Sequence, residues 1–293
     1  MAQDEDDDGE KKPYTDTINK KFNLGVYVGA FFPNKFTASL YDGYGYDVNG
    51  YRNNFSNSVL RNEIVNNYGG GNNGTDQIAQ LLNVNSTDWS FNESGMPFNL
   101  RYTPSTLVGL NMRYRLSKKQ SIALNVNATK IVVNGKFNIN TTATGTSTTG
   151  ISGQSGSQHQ FTITGAEQRL MFQLGYQRYL GKNERINFLV EGGLNIIMAK
   201  LQKNQAFLIN GSNSIAIDLM NIYNQPQYNY YSAKYFVGVG IGAYAGLGLN
   251  ININPKYTIQ LLYNPSYDRI PLGDNPRFKL QNGVGLRFYY NFS

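Results

Sequence analysis

The chain ends on "RFKLQNGVGLRFYYNFS", residues 277 to 293, and the spacing within this stretch decides what kind of fold to expect. Phe278, Leu280, Val284, Leu286, Phe288, Tyr290 and Phe292 share one parity, while Arg277, Lys279, Gln281, Gly283, Gly285, Arg287, Tyr289 and Asn291 share the other. Side chains alternate across a strand, so the segment has one apolar face and one polar or small face. Which of the two meets water determines the fold class.

The same period of two recurs upstream. "KFNLGVYVGAFF", "TLVGLNMRYRL", "SIALNVNA", "LMFQLGYQRYL", "INFLVEGGLNIIM", "YFVGVGIGAYAGLGLNINI" and "YTIQLLY" each read as a strand, which with the terminal segment gives about eight. The parity of the second extends back through Phe98, Leu100 and Tyr102, predicting a very long strand, and that of the third shifts near Ile131 and Val133, where a bulge is expected. Hairpin-length turns fall at 117 to 120, 181 to 185 and 254 to 256. Long segments separate the hairpins, at about 33–97, 140–159, 200–234 and 264–276.

A soluble sandwich or barrel also alternates, but its outward face carries many Lys, Glu and Asp. Here the polar parity holds Gly, Asn, Gln, Tyr and a few Arg, suited to the inside of a narrow barrel. The apolar parity is Val, Ile, Leu, Phe and Tyr, with aromatics near strand ends, as in a lipid-facing band between interfacial girdles. The predicted fold is therefore all-β: a transmembrane, antiparallel, up-and-down barrel of about eight strands with long extracellular loops. Tight turns and both termini are expected on the periplasmic side of a bacterial outer membrane. The terminal strand closes against the first, because an open edge in lipid leaves backbone groups unpaired.

Composition agrees. Charged residues are 15% of the chain and aromatics 13%, with 22 Tyr and 31 Gly. The net charge of +7 is unevenly spread: residues 1–20 hold seven acids and three bases, a local −4, which leaves +11 on residues 21–293. The first twenty residues are expected to form an acidic, disordered periplasmic tail, and 21–293 the barrel. There is no cysteine, so disulfides, thiolate metal sites and a lipidated N-terminal cysteine are excluded. The opening "MAQDEDDDGEKK" has no apolar signal region, and the expectation is of a mature chain from which a signal peptide has been removed.

The aromatic-rich terminal strand, with Phe292 one residue from the end, resembles the C-terminal signature of outer-membrane barrels, although Ser293 follows it. That resemblance implies recognition by the barrel-assembly machinery. With its "AQ" start, acidic tail and Asn/Tyr-rich loops, the chain is similar to small barrels of the OmpA/OmpX/PorT-like kind from Bacteroidota. A PorT-like relationship implies a part in protein secretion, and an OmpA-like one an anchoring or adhesive role.

The candidate residues fall into two groups. Arg113, Arg115, Glu167, Arg169, Glu191, Lys279 and Arg287 lie on the polar parity and are expected to form a charge network inside the barrel. The loop segments "NSVLRNEIVNN", "DQIAQLLN" and "NSIAIDLMNIY" have the apolar spacing of short helices. They either pack together over the barrel mouth or bind a partner, which makes Leu60, Ile64, Leu81, Trp89, Leu219 and Met220 candidate contacts. His159, with Ser157 before it and Glu167 after it, is expected to be a solvated loop histidine; the alternative is an acyl-ester hydrolase resembling outer-membrane enzymes that modify lipid A, although in those the order is His-x-Ser and here it is Ser-x-His.

Phosphate loops, zinc spacings and nucleic-acid motifs are absent from the sequence. The expected function is non-enzymatic, needing no cofactor and no metal: a structural or interaction subunit of an envelope complex, in contact with outer-membrane lipid and lipopolysaccharide. A small channel and a lipid-modifying enzyme are the alternatives.

Overall fold

The computed structural model describes residues 21–47, 51–71, 74–142, 156–183, 185–220, 237–270, 272 and 277–292. The expected tail at 1–20 lies outside them. Eight strands form a closed antiparallel ring: β1 (Phe22–Phe32), β2 (Ser105–Ser117), β3 (Gln120–Thr141), β4 (Ser157–Leu180), β5 (Ile186–Asn210), β6 (Val237–Asn252), β7 in two pieces (Tyr257–Tyr263 and Ser266–Arg269) and β8 (Phe278–Asn291). Each strand pairs with its sequence neighbours, and β8 closes on β1 from Asn23↔Asn291 to Phe32↔Asn282, which leaves no barrel edge unpaired. The barrel is the predicted up-and-down ring.

Its polarity is that of a chain solvated by lipid. Leu110, Phe188, Leu194, Val239 and Ile241 all point outward with 60% or more of their surface exposed, whereas Asn125, Gln177, Glu191, Gln260 and Arg287 point inward and are buried. Aromatics collect at both ends of this band. At the turn end Phe292 lies 6.2 Å from Phe22 and 5.0 Å from Tyr290, and at the other end Tyr267 stacks on Phe278 at 5.5 Å. Such girdles mark the two interfaces of a membrane. The chain is thus a transmembrane antiparallel β-barrel, and the apolar face of the terminal segment meets lipid.

Strands β3, β4 and β5 have 22, 24 and 25 residues. A tilted strand crosses the hydrocarbon with about ten. Their far halves therefore stand clear of the apolar band as a three-stranded blade, and the β3–β4 pairing runs from Gln120↔Arg178 at the turn end to Thr141↔Ser157 at the blade tip. The expected bulge near Ile131 is absent, and this pairing runs without a register shift. The chemistry changes instead: inward positions are polar or small from Ser121 to Thr129 and apolar, with Gly135 among them, from Ile131 to Ile139, while the outward face acquires Lys130, Asn134 and Lys136. A swap of polarity at constant parity is what leaving the membrane requires, because the inner side now packs on protein and the outer side meets water. The bulge lies in β5, where Gln202 is the extra residue between Glu167↔Leu201 and Ala166↔Lys203.

Several expected boundaries are corrected. The second strand does not extend at constant parity through Phe98. The segment Phe98–Tyr102 pairs with β3 across a register break, with Asn99 at φ 55°, and Tyr102 turns into the barrel. The loop expected at 200–234 begins as strand. β5 runs to Asn210 and turns at Gly211 (φ 60°) into a further strand, Asn213–Asp218, where a helix was expected; alternating Ile215 and Ile217 pair with Leu208 and Ala206. The loop expected from 264 also begins as strand, since β7 keeps one register with β8 on both sides of Pro265. Of the 140–159 loop, strand reaches Thr141 and resumes at Ser157, and 143–155 lie outside the described residues.

Candidate functional site

The lumen is filled from the turn end upward by side chains of the polar parity. Arg113 gives its Nε to Asn23 Oδ1 (2.9 Å) and one Nη to the Tyr179 hydroxyl (2.9 Å), with its guanidinium 4.3 Å over the Tyr289 ring. Above it, Glu191 accepts from Arg287 at 2.5 Å, Tyr244 Oη at 2.6 Å, Gln177 Nε2 at 3.0 Å and Asn125 Nδ2 at 3.1 Å. Near the outer end Glu167 pairs with Arg169 at 2.5 Å and accepts from the hydroxyls of Tyr41 (2.9 Å) and Tyr102 (3.2 Å). A buried carboxylate is tolerable only when paired and hydrogen-bonded in this way. The inward glycines make room: a Cβ on Gly175 would meet the Tyr244 hydroxyl, and one on Gly165 the Tyr41 ring.

Two residues expected in this network sit at its ends. Lys279 faces inward at the outer rim, with its ammonium 4.3 Å over the Phe36 ring. Arg115 lines the opening at the turn end. Sequence reasoning missed Asp268, which joins Glu167 and Glu191 as an acid buried in the lumen and accepts from Asn195 at 2.9 Å and from Ser266. Its parity matches Thr258 and Gln260, a signal that ending β7 at Pro265 concealed. Tyr27, Tyr244 and Tyr289 lie inward as their polar parity implies, although they were not counted in the charge network, whereas Tyr41, from the long loop, and Tyr102, read on the apolar parity, were missed.

The outer mouth is closed by the chain between β1 and β2. A 3-10 helix, Lys35–Tyr41, is capped by Asn34, whose side chain accepts from the Phe36 amide, and it drops Tyr41 into the lumen. Helix α1 (Val59–Arg61) widens into a π-helical turn over Asn62–Asn67, and α2 (Gln77–Leu82) starts at Asp76, which accepts from the Ala79 amide and from Trp89 Nε1. Their apolar faces meet the inner side of the blade in one core that includes Leu60, Ile64, Ile78, Leu81, Phe137, Phe161, Leu208 and Leu219. Short helices need such burial to persist.

The expected partner contacts are corrected accordingly. Leu60, Ile64, Leu81 and Leu219 are at most 4% exposed and hold the cap together. Trp89 is half-buried against the same core, and Met220 packs beside Tyr41 and Leu201. Burial lifts the Glu63 carboxyl above its usual range, opposed by a hydrogen bond from Asn67 Nδ2 at 2.8 Å.

His159 lies on the blade with its Nε2 3.2 Å from Thr141 Oγ1. Glu167 is eight residues along the same strand and committed to Arg169. At about 3.3 Å per residue the separation is roughly 26 Å, so Ser157, His159 and Glu167 do not assemble a triad. Among the described residues no cluster of three or more His, Asp or Glu is placed to hold a metal.

The sequence matches no protein-family model. Nor does it match any curated protein. Solved structures with a similar course of chain include Neisserial surface protein A (7% identity, 94% of this chain and 99% of that one, TM-score 0.38). Also similar are OprG from Pseudomonas aeruginosa (10%, 93% and 96%, 0.37) and the attachment invasion locus protein Ail of Yersinia pestis (10%, 93% and 97%, 0.33). At these identities and scores, what the chain is similar to is the general form of small outer-membrane β-barrels.

Proposed function

We propose that the protein is a non-enzymatic barrel of the bacterial outer membrane, turn end in the periplasm, that works as an anchored platform and presents its capped outer end to another component of the envelope. The observation that carries this reading is a lumen plugged at three levels by Arg113, Glu191 with Arg287, and Glu167 with Arg169, beneath a cap with its own hydrophobic core. The described side chains at these three levels stand across the route a solute would take, and the blade and cap hold a surface clear of the membrane. The secretion or adhesion roles implied by the sequence resemblance are two forms of this platform.

Outward-facing cations support the orientation. Lys130 and Lys200 flank Gln168 on neighbouring strands just beyond the apolar band, and Lys136 and Lys203 follow on the blade. That is where phosphates of lipopolysaccharide would meet them, and basic side chains beside an anionic leaflet are attracted to it. Exposed cap residues such as Tyr51 and the hairpin residue Ile209 replace the buried set as contacts.

The test is purification from native membranes in mild detergent, comparing wild type with Tyr51→Ala/Ile209→Asn, alongside planar-bilayer recording. An envelope protein lost from the variant, and no conductance from either, are expected. Steady ion conductance by the wild type would overturn the platform in favour of a channel.

A further inference from the structure

The turn end of the barrel is not flush. Its mouth is a bowl of about 470 Å³ whose buried floor includes Tyr179 and Asn250. The bowl is a dead end, because Tyr179 receives Arg113 and the filled lumen begins there. Three pieces of chain bring cations to it: Lys21 and Arg115 from the paired ends of β1 and β2, Lys118 and Lys119 from the β2–β3 turn, and Lys182 from the β4–β5 turn. No acid stands among the described lining residues. Lys21, Lys118, Lys119 and Lys182 are exposed, and none has an ion-pair partner among the described residues. The backbone that carries them is fixed, since the Arg115 amide donates to the Lys21 carbonyl at 2.7 Å and the Tyr179 amide to the Lys119 carbonyl at 2.9 Å. Cations gathered in this way around a concave, low-dielectric wall raise the local potential above that of a flat surface and select an anion.

The kinds of side chain present narrow the class of anion. Four of the five cations are lysines, point charges whose flexible stems gather from several sides on a dense, multiply charged phosphate group, whereas the rigid fork that fits a planar carboxylate comes from Arg115 alone. Asn183 and Asn187 add side-chain amides, whose N–H groups donate to phosphate oxygens. A volume in the range of a small-ligand pocket admits a small molecule and not a folded partner. The bowl also opens along the barrel axis: Asn187 and Asn250 pair on the inward face, while Ile186 and Phe188 beside them point outward and are exposed to lipid. A bilayer headgroup therefore lies on the far side of the wall. We infer that the bowl at the turn-end mouth is a binding site for a soluble organic phosphate carrying several negative charges. It lies at the opposite end from the cap, so it works independently of the platform surface.

The probe is inorganic tripolyphosphate, added to the full chain folded in zwitterionic detergent and checked by heat-modifiability. Acylation of lysine amines, followed by mass spectrometry, is expected to slow roughly tenfold at Lys119 and Lys182 and to stay unchanged at Lys130 and Lys200, beyond the other end of the apolar band. Equal slowing at both ends would mean a polyanion spread over a basic body and would overturn the inference, as would no slowing anywhere. Calorimetry then compares variants. Lys119→Gln/Lys182→Gln should bind tripolyphosphate roughly tenfold more weakly than wild type, and Lys130→Gln/Lys200→Gln should bind it as wild type does. An equal loss in both variants would sink the site. Citrate, a carboxylate of comparable charge, is expected to bind roughly tenfold more weakly than tripolyphosphate. Equal or tighter binding of citrate would assign the bowl to carboxylates and overturn the phosphate assignment. In nanodiscs, protection of Lys119 and Lys182 by anionic lipid alone would assign them to headgroups and defeat the proposal.

Discussion

At the scale of single residues, the lumen depends on carboxylates that cannot be removed alone. Glu191→Ala strands Arg287 and takes the acceptor from Tyr244, Gln177 and Asn125. A loss of about 3–5 kcal/mol is expected, read from the urea midpoint in detergent micelles, and Arg287→Met added to it should recover part. If Glu191→Ala unfolds like wild type, the pair is not holding the barrel. Glu63 makes the cap sensitive to pH. Its carboxyl is raised in the fold, chiefly by burial, so the folded cap holds the proton more tightly than the unfolded chain. Its contribution is therefore full below the ordinary carboxylate value of about 4.3 and is lost as pH rises through the raised value. Hydrogen exchange of the cap should accelerate from pH 4 to pH 7 beyond the intrinsic rate, and Glu63→Gln should remove that excess. Parity alone made Arg113, Glu167, Arg169, Glu191 and Arg287 legible as inward charges, though not Asp268. Which acid meets which base was not legible, since partners such as Glu191 and Arg287 are 96 residues apart.

At the scale of elements, the blade and the cap stabilise each other. Ile64 is fully buried where the π-helical turn after α1 meets the blade, and Ile64→Ala is expected to cost the cap about 2–5 kcal/mol. Trypsin should then cut at Arg52 or Arg61 while the barrel keeps its heat-modifiability; simultaneous loss of both would mean that cap and barrel form one cooperative unit. All eight strands were readable as runs of period two, and α2 and the helical stretch at 59–67 from their helical apolar spacing. The blade was obscured because alternation was expected to mean the same thing throughout. From Ile131 the inward face turns apolar, which reads as a slip in register when only the residues are seen. Asn213–Asp218 was misread for a related reason: Ile215 and Ile217 suit a strand, but neighbouring Leu219, Met220 and Ile222 supply a helical spacing that burial of Leu219 under the cap explains equally well.

At the scale of the whole molecule, exposure means two different things on one surface. Val26 midway along β1 and Ile209 at the blade tip are 49% and 63% exposed, yet only Val26 faces hydrocarbon. Val26→Arg should destabilise the folded barrel by about 2–4 kcal/mol in bilayers, whereas Ile209→Arg should stay within about 0.5 kcal/mol. Equal effects would misplace the membrane boundary. The uninterrupted ladder between β3 and β4 also has a mechanical meaning. Its bonds hold the two strands together as one unit; a tug on the outer hairpin draws both the same way, so the ladders that tie this unit to β2 and β5 take the load in shear, many bonds together, and are not unzipped one at a time. Tension from a neighbouring cell or a flowing medium would travel down the blade as through a tendon, and the girdled wall below would bear it.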